Sequence, residues 1–363
     1  MGAIKLGGEI KTAIVDLLRY HWALLLFLFA ALCATVFSVD CRQSMHVQLS
    51  LLPGLIAYVV ITTFADTKNR LRIASFALSI IVFFTVVYIA PQVITTRMDN
   101  PVAQLKLLGN ALFVAPNDIL VFSVVAPLAL GATWASGWWL RALTAVYLLL
   151  MLVISVNMKS RQAVLLLLLG LVIVIALMRP RWAIPALLAG CAFCVVIDGL
   201  LDWHLIHKIF LFPRTYVWHA AWTMFTDSPL TGQGPGLFKD IYFTFLAKAG
   251  YVLGDLSDRR GMLWAHSLYL EQLAERGILG FIALLSVLGV SIYKVGCLLR
   301  GAVSESMRSM LAGVFSALVV FAVAGVAETT LSRIWVTIFL LVLSALSVAS
   351  VRLSQRNSSE FLD

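Results

Sequence analysis

The chain has 363 residues, of which 61% are apolar and only 12% charged, with a formal net charge of +9 and a mean hydropathy of +0.96. Soluble domains carry about 45–50% apolar and about 25% charged residues, and must cover themselves with water-compatible groups. The composition therefore excludes a soluble enzyme, a secreted disulfide scaffold and a disordered chain. It leaves a bilayer as the solvent.

A membrane-spanning helix needs about 20 predominantly apolar residues. Such runs lie near residues 21–39, 47–65, 73–92, 118–135, 140–157, 162–178, 182–199, 278–297, 309–326 and 332–350. Backbone in hydrocarbon must satisfy its own hydrogen bonds, so the runs predict helices. The expected fold is an all-α polytopic integral membrane protein of about 10–12 transmembrane helices with one long outer loop that itself contains helices. Residues 1–199 form the N-terminal transmembrane bundle, 200–277 the loop, and 278–363 the C-terminal helices with a short tail. The first run is long enough to span and lacks a small-residue cleavage site, so no cleavable signal peptide is expected.

The connections alternate in charge. Lys5, Lys11 and Arg19 precede the first run, and Lys68, Arg70 and Arg72 follow the second. Arg141, then Arg179 and Arg181, then Lys294, Arg300 and Arg308, then Arg352 and Arg356 mark every second connection after that. The positive-inside rule places these links, and both termini, in the cytoplasm. Fourteen of the 27 basic residues and six of the 18 acidic ones fall there, so most of the +9 is topology. The outer segments are nearly neutral, yet they hold the remaining basic residues and the one long connection. Long loops on a rigid scaffold are where function concentrates. Of the five cysteines, Cys33, Cys191, Cys194 and Cys297 fall in apolar runs and Cys41 in a short outer loop. The Cys191-x-x-Cys194 pair lacks a second ligand pair, which favours helix packing over a zinc site.

Within the long loop, Phe212-Pro213-Arg214 precedes Trp218, Trp222 and Phe225. Pro213 suits a first helical turn, and Arg214, Trp218 and Trp222 recur every four residues on one face. An anion donor beside flat aromatic surfaces suits a phosphate joined to a sugar; an interfacial aromatic belt explains the Trp residues equally well. The helix is expected to stop at Asp227-Ser228-Pro229, before a tight turn at Gly232-Gln-Gly234-Pro-Gly236. That glycine spacing imitates part of a nucleotide-binding fingerprint, but no strand precedes it. Further on, His266, Leu270, Leu273, Gly277 and Gly280 are spaced as a single helical stripe. It places His266 facing inward at the outer surface, either as a hydrogen-bonded core residue or as a proton-transfer group. Asn157-Met-Lys159-Ser160-Arg161 sits at the outer mouth of two spans. An Arg entering a membrane helix is a functional candidate, with snorkelling as the alternative. Arg97, Lys106, Asn117, Asp118, Glu328 and Arg333 are weaker outer candidates.

Together these segments resemble the O-antigen ligase family of bacterial inner-membrane glycosyltransferases, the Wzy/WaaL-like superfamily. The resemblance rests on Ser160-Arg161-x-Ala163 and on Arg214-x3-Trp218 through Asp227-Ser-Pro229-Leu-x-Gly232-x-Gly234-Pro-Gly236. It rests also on His266-Ser267 followed by Gly277 and Gly280, and on Ala115-Pro116-Asn117-Asp118 before a span. It implies a GT-C-like membrane fold and transfer of polysaccharide from an undecaprenyl diphosphate-linked O-antigen donor to a lipid A-core acceptor. The reaction would occur at the periplasmic face of a Gram-negative inner membrane, among membrane lipids and with no nucleic acid involved. The family's invariant His maps onto His266 and its two essential Arg onto Arg161 and Arg214, which would hold the diphosphate. Lys159, Trp218, Trp222, Trp264 and Asn117 become possible glycan or acceptor contacts. Family members have twelve spans against about ten here, leaving two missing or hidden in 93–117 and 200–277.

No metal or cofactor is expected. The first outer loop, Asp40-Cys-Arg42-Gln-Ser-Met-His46, lacks an acidic pair, and Asp255 and Asp258 sit beside Arg259 and Arg260. Competing readings are an O-antigen polymerase using the same donor, a protein-directed O-oligosaccharyltransferase, and a lipid-linked glycan transporter or flippase. A transporter places its charges near the bilayer midplane, whereas the candidates here gather at one surface.

Overall fold

The computed structural model describes residues 2–95, 105–107, 112–114, 116–158, 160–201, 215–252, 264–301, 303–326 and 330–359. Among these residues the chain forms thirteen α-helices. They are α1 (Gly2–Val36), α2 (Cys41–Leu49), α3 (Leu52–Phe64), α4 (Lys68–Thr95), α5 (Pro116–Thr133), α6 (Trp138–Asn157), α7 (Arg161–Met178), α8 (Ala183–Leu201), α9 (Thr215–Asp227), α10 (Phe238–Lys248), α11 (Leu268–Arg300), α12 (Glu305–Ala324) and α13 (Ile334–Ser359). A short antiparallel ribbon, Leu105–Leu107 with Leu112–Val114, is the one departure from an all-helical chain among the described residues.

Every apolar run of the sequence is helical, and the protein is a polytopic membrane protein. Eight helical segments are long and apolar enough to cross a bilayer among the described residues, fewer than the ten to twelve expected. The run at 73–92 lies within α4 and that at 118–135 largely within α5; Phe122–Thr133 of α5 counts as a shorter apolar helix. The long loop hides no span among its described residues. α9 and α10 have 13 and 11 residues, about 20 Å and 17 Å at 1.5 Å per residue, short of a hydrocarbon core of about 30 Å.

Two expectations are corrected locally. The first outer loop, 40–46, is mostly helical: Asp40 caps α2 by accepting the Gln43 N–H at 3.0 Å, which offsets one of the unpaired donors of a helix start. The stripe from His266 to Gly280 is not one helix. α11 begins at Leu268, after His266, and breaks at Gly277 (φ 62, ψ −164). Sequence periodicity runs through both points because spacing carries no record of a left-handed backbone.

The chain divides into two compact units. One comprises residues 1–55, 214–291 and 330–337, the other 56–213, 292–329 and 338–363. In the second unit, α5, α7 and α12 approach closely through small residues. A Cβ on Gly131 would lie 2.5 Å from the Ser309 carbonyl oxygen, and one on Gly170 would lie 2.4 Å from Pro127. Ser316 donates to the Gly170 carbonyl at 2.8 Å. Backbone proximity of this kind substitutes for the hydrophobic drive that lipid cannot supply between helices. In the first unit, α9 and α10 share a core of Tyr216, Val217, Ala220, Ala221, Met224, Phe238, Tyr242, Phe245 and Leu246, joined by Ala265 and Ala274.

Candidate active site

The site's scaffold is built where the glycine-rich turn meets the break in α11. In an uninterrupted helix the Ile278 and Leu279 N–H groups would donate to the carbonyls of Ala274 and Glu275. Here those carbonyls accept from Gln233 and Gly234 instead, at 2.9 and 3.0 Å. The displaced Ile278 and Leu279 N–H groups donate to the Pro229 and Leu230 carbonyls, at 2.9 and 3.4 Å. The segment 229–234 thus inserts into the helical ladder and supplies new partners for these four backbone groups. Gly232 and Gly277 admit the insertion: both have positive φ, and a Cβ at either would lie within 2.4 Å of opposing backbone. The Gln233 and Gly234 N–H groups are spent on α11, so this glycine run is a structural turn and not a phosphate cradle.

The surrounding motif residues lock the same joint. α9 ends at Asp227 as expected, and the Asp227 carboxylate accepts from Lys248 at 2.9 Å and Gln233 at 3.1 Å. These bonds, Lys248 foremost, hold its carboxyl below the usual carboxylate range. Ser44 donates to the Pro235 carbonyl at 3.1 Å, and the Val39 N–H to that of Gln233 at 3.0 Å. Buried Glu275 accepts the Phe238 N–H at 3.2 Å and a backbone bond from Gly236, so it caps α10 from a distant part of the chain.

Held at the start of this scaffold is His266. It has φ 53, alone among described non-glycine residues in the left-handed region. Such a backbone is uncommon outside glycine, and persists where the surroundings over-determine it. The half-buried imidazole lies against Trp264, ring centroids 5.6 Å apart and inclined by 57°. Arg333 also meets this indole, its guanidinium 4.4 Å from the Trp264 ring centre and 5.7 Å from that of Trp335. Burial pushes Arg333 down to about 10, which leaves it cationic at neutral pH. His266, Trp264 and Arg333 therefore place a proton-transfer group, an aromatic surface and a cation together. Such a set can take a proton from a hydroxyl while presenting a flat face to a sugar.

Residues 146–285 match the Wzy_C family model, described as O-antigen ligase. Over that segment the chain is similar to O-antigen ligases. No curated protein matches the chain. The match points to glycosyltransferase activity of the O-antigen ligase or polymerase kind, on lipid-linked polysaccharide substrates in general.

Of the residues read from the sequence, His266 and Trp264 are brought together within the matched segment. Trp218 and Trp222 lie off the buried face of α9, Trp218 half-buried and Trp222 51% exposed. Trp222 packs on Phe225 with centroids 5.2 Å apart. Arg161 opens α7 in the other unit, behind the buried Ser160. Its Nε is buried without a hydrogen-bond partner among the described residues, and Asp198 of α8 is within electrostatic reach. Asn117 is in the first turn of α5, its side chain outside what is described. Arg214, Lys159, Asp255, Asp258, Arg97 and Glu328 lie outside the described residues. Sequence reasoning ranked Arg333 low and did not nominate Glu271, Glu275 or Asp198. The signal for Arg333 was present, as an Arg two residues before Trp335 next to the last span.

Proposed function

We propose that this protein is an O-antigen ligase of a Gram-negative inner membrane. It transfers polysaccharide from undecaprenyl diphosphate to a lipid A-core oligosaccharide at the periplasmic face, with both termini in the cytoplasm. An acceptor hydroxyl is a poor nucleophile at neutral pH, and His266 takes its proton as the oxygen attacks the anomeric carbon. The bond from that carbon to the diphosphate breaks, and undecaprenyl diphosphate leaves with the electron pair. Arg161 and Arg214 are assigned to the diphosphate, where fixed guanidinium groups offset the charge that develops. Direct displacement inverts the anomeric centre and needs no metal. Lys159, Trp218, Trp222, Trp264 and Asn117 are assigned to glycan or acceptor contacts.

The observation that carries this reading is the O-antigen ligase match over 146–285, which spans Arg161, Arg214 and His266. The strained backbone of His266 beside Trp264 supports its role. The test is complementation of a ligase-deficient Gram-negative strain, with lipopolysaccharide resolved on a gel. The wild-type chain is expected to restore the O-antigen ladder and His266→Ala to abolish it. A His266→Ala chain that still restores the ladder refutes the catalytic assignment. Altered glycan length without attachment to core identifies a polymerase instead.

A further inference from the structure

The left-handed backbone at His266 has to be held by its neighbours, and the structure shows what holds it. On its C-terminal side, Ser267 and Leu268 are buried, and the Ser267 carbonyl accepts the Glu271 N–H at 2.9 Å. Against the imidazole stands Trp264, and the guanidinium of Arg333 lies 4.4 Å from the Trp264 ring centre. Arg333 is itself anchored to the turn that follows His266. Thr330 and Ser332 donate their hydroxyls to the Glu271 carboxylate, Ser332 at 3.3 Å. Thr337 donates to the Leu331 carbonyl at 3.0 Å. Both ends of the Arg333–Trp264 contact are therefore tied to the start of α11.

We infer that Arg333 is a positioning residue for His266: its guanidinium pins the Trp264 indole, and the indole holds the imidazole in the orientation that proton transfer requires. The inference rests on the assignment of His266 as the base. A cation over an indole face is attracted by the ring quadrupole, more strongly as the pair is desolvated, and Arg333 is buried enough to be desolvated. Misplacement of a reacting group by about 1 Å lowers rates by about 100-fold, so loosening the indole should appear in turnover. A guanidinium that instead gripped the donor diphosphate directly would appear in donor affinity.

The experiment uses the purified full chain in detergent or nanodiscs, with an undecaprenyl diphosphate-linked O-antigen donor and a lipid A-core acceptor. Arg333→Met is expected to lower kcat about 10- to 100-fold, with both KM values within about two-fold. Arg333→Lys, which keeps a cation over the indole, is expected to recover most of the loss. The Trp264→Ala/Arg333→Met double variant should be no slower than the slower single variant, because the two act as one unit. Independently of activity, hydrogen exchange at residues 264–268 should quicken in Arg333→Met while 269–276 stays protected. Wild-type kcat in Arg333→Met, no recovery by Arg333→Lys, a raised donor KM with additive losses, or unchanged exchange at 264–268 each overturns the inference. His266→Ala separates the two levels. If it stays active, the base assignment falls while the exchange measurement still decides whether Arg333 holds the segment. If it is inactive while Arg333→Met is normal, only the positioning role falls.

Discussion

Gly277→Ala tests the insertion of the glycine-rich turn into α11. At φ 62 and ψ −164, Gly277 occupies a region essentially reserved for glycine, where another residue costs about 1–3 kcal/mol. The new Cβ would lie 2.4 Å from the Leu230 carbonyl carbon and oxygen and 2.6 Å from the Thr231 nitrogen. These are backbone atoms, so relief comes only by moving the turn. Moving it removes the bonds that Pro229 and Leu230 accept from Ile278 and Leu279, each with a net contribution of about 0.5–1.5 kcal/mol. The total is about 2–6 kcal/mol, and each 1.4 kcal/mol is about tenfold in an equilibrium. Amide exchange at 229–234 and 274–279 should then accelerate by about 30-fold or more, with α12 little changed. Gly289→Ala is the control in the same helix. A Cβ there meets nothing within 4 Å, and alanine in a helix interior is favoured by about 0.5–1 kcal/mol. Equal exchange in wild type and Gly277→Ala would refute the inserted turn, as would comparable damage from Gly289→Ala.

Other outcomes follow from the same geometry. Transfer is expected to survive EDTA, because the Asp40 carboxylate is already engaged as a helix cap and the 40–46 segment holds no second acid. Loss of activity restored by magnesium would show otherwise. The Asp227 clasp should weaken in acid. A carboxylate depressed in the folded state adds stability above its unfolded pKa, and that stability is lost as pH falls through the folded value. Protection of α10 should therefore decline below about pH 4 in wild type and lack that dependence in Asp227→Asn. Parallel pH profiles for the two chains would remove Asp227 from the joint.

Periodicity was enough to locate every long helix, because apolar runs bounded by charge are the signature of backbone that must satisfy itself in lipid. Asp227-Ser228-Pro229 ended a helix as local chemistry requires, and the glycine run turned as expected. The misreading at 266–280 has a physical origin. A 4-3-4-3 spacing fits an unbroken helix as well as one that starts late and breaks at a glycine, and the break depends on carbonyls captured by residues some forty positions away. Arg333 and Trp264 were each visible as a cation or an aromatic expected at the outer surface. Their contact is long-range packing, which no local pattern encodes. Glu271 and Glu275 were legible only as loop charge, and their burial comes from the partners they bind.

Those two carboxylates decide how loss-of-function variants near His266 should be read. They lie four residues apart on one helical face, where like charges repel, and both are at most 1% exposed. Buried carboxylates are costly unless hydrogen-bonded, and each is used by a different segment. Glu271 receives Thr330 and Ser332 and so fixes the stretch carrying Arg333. Glu275 receives the Phe238 N–H and pairs with Arg276 at 3.5 Å. Replacing Glu275 by alanine strands a buried N–H at the start of α10, at about 1–3 kcal/mol, and removes the paired counter-charge of Arg276, only 1% exposed, leaving it Glu271 alone. An inactive Glu275→Ala chain would therefore report a collapsed joint between α10 and α11, and not a second catalytic acid. Exchange separates the cases. A structural role predicts lost protection along 238–248 together with lost activity, whereas a catalytic role predicts lost activity with that protection intact.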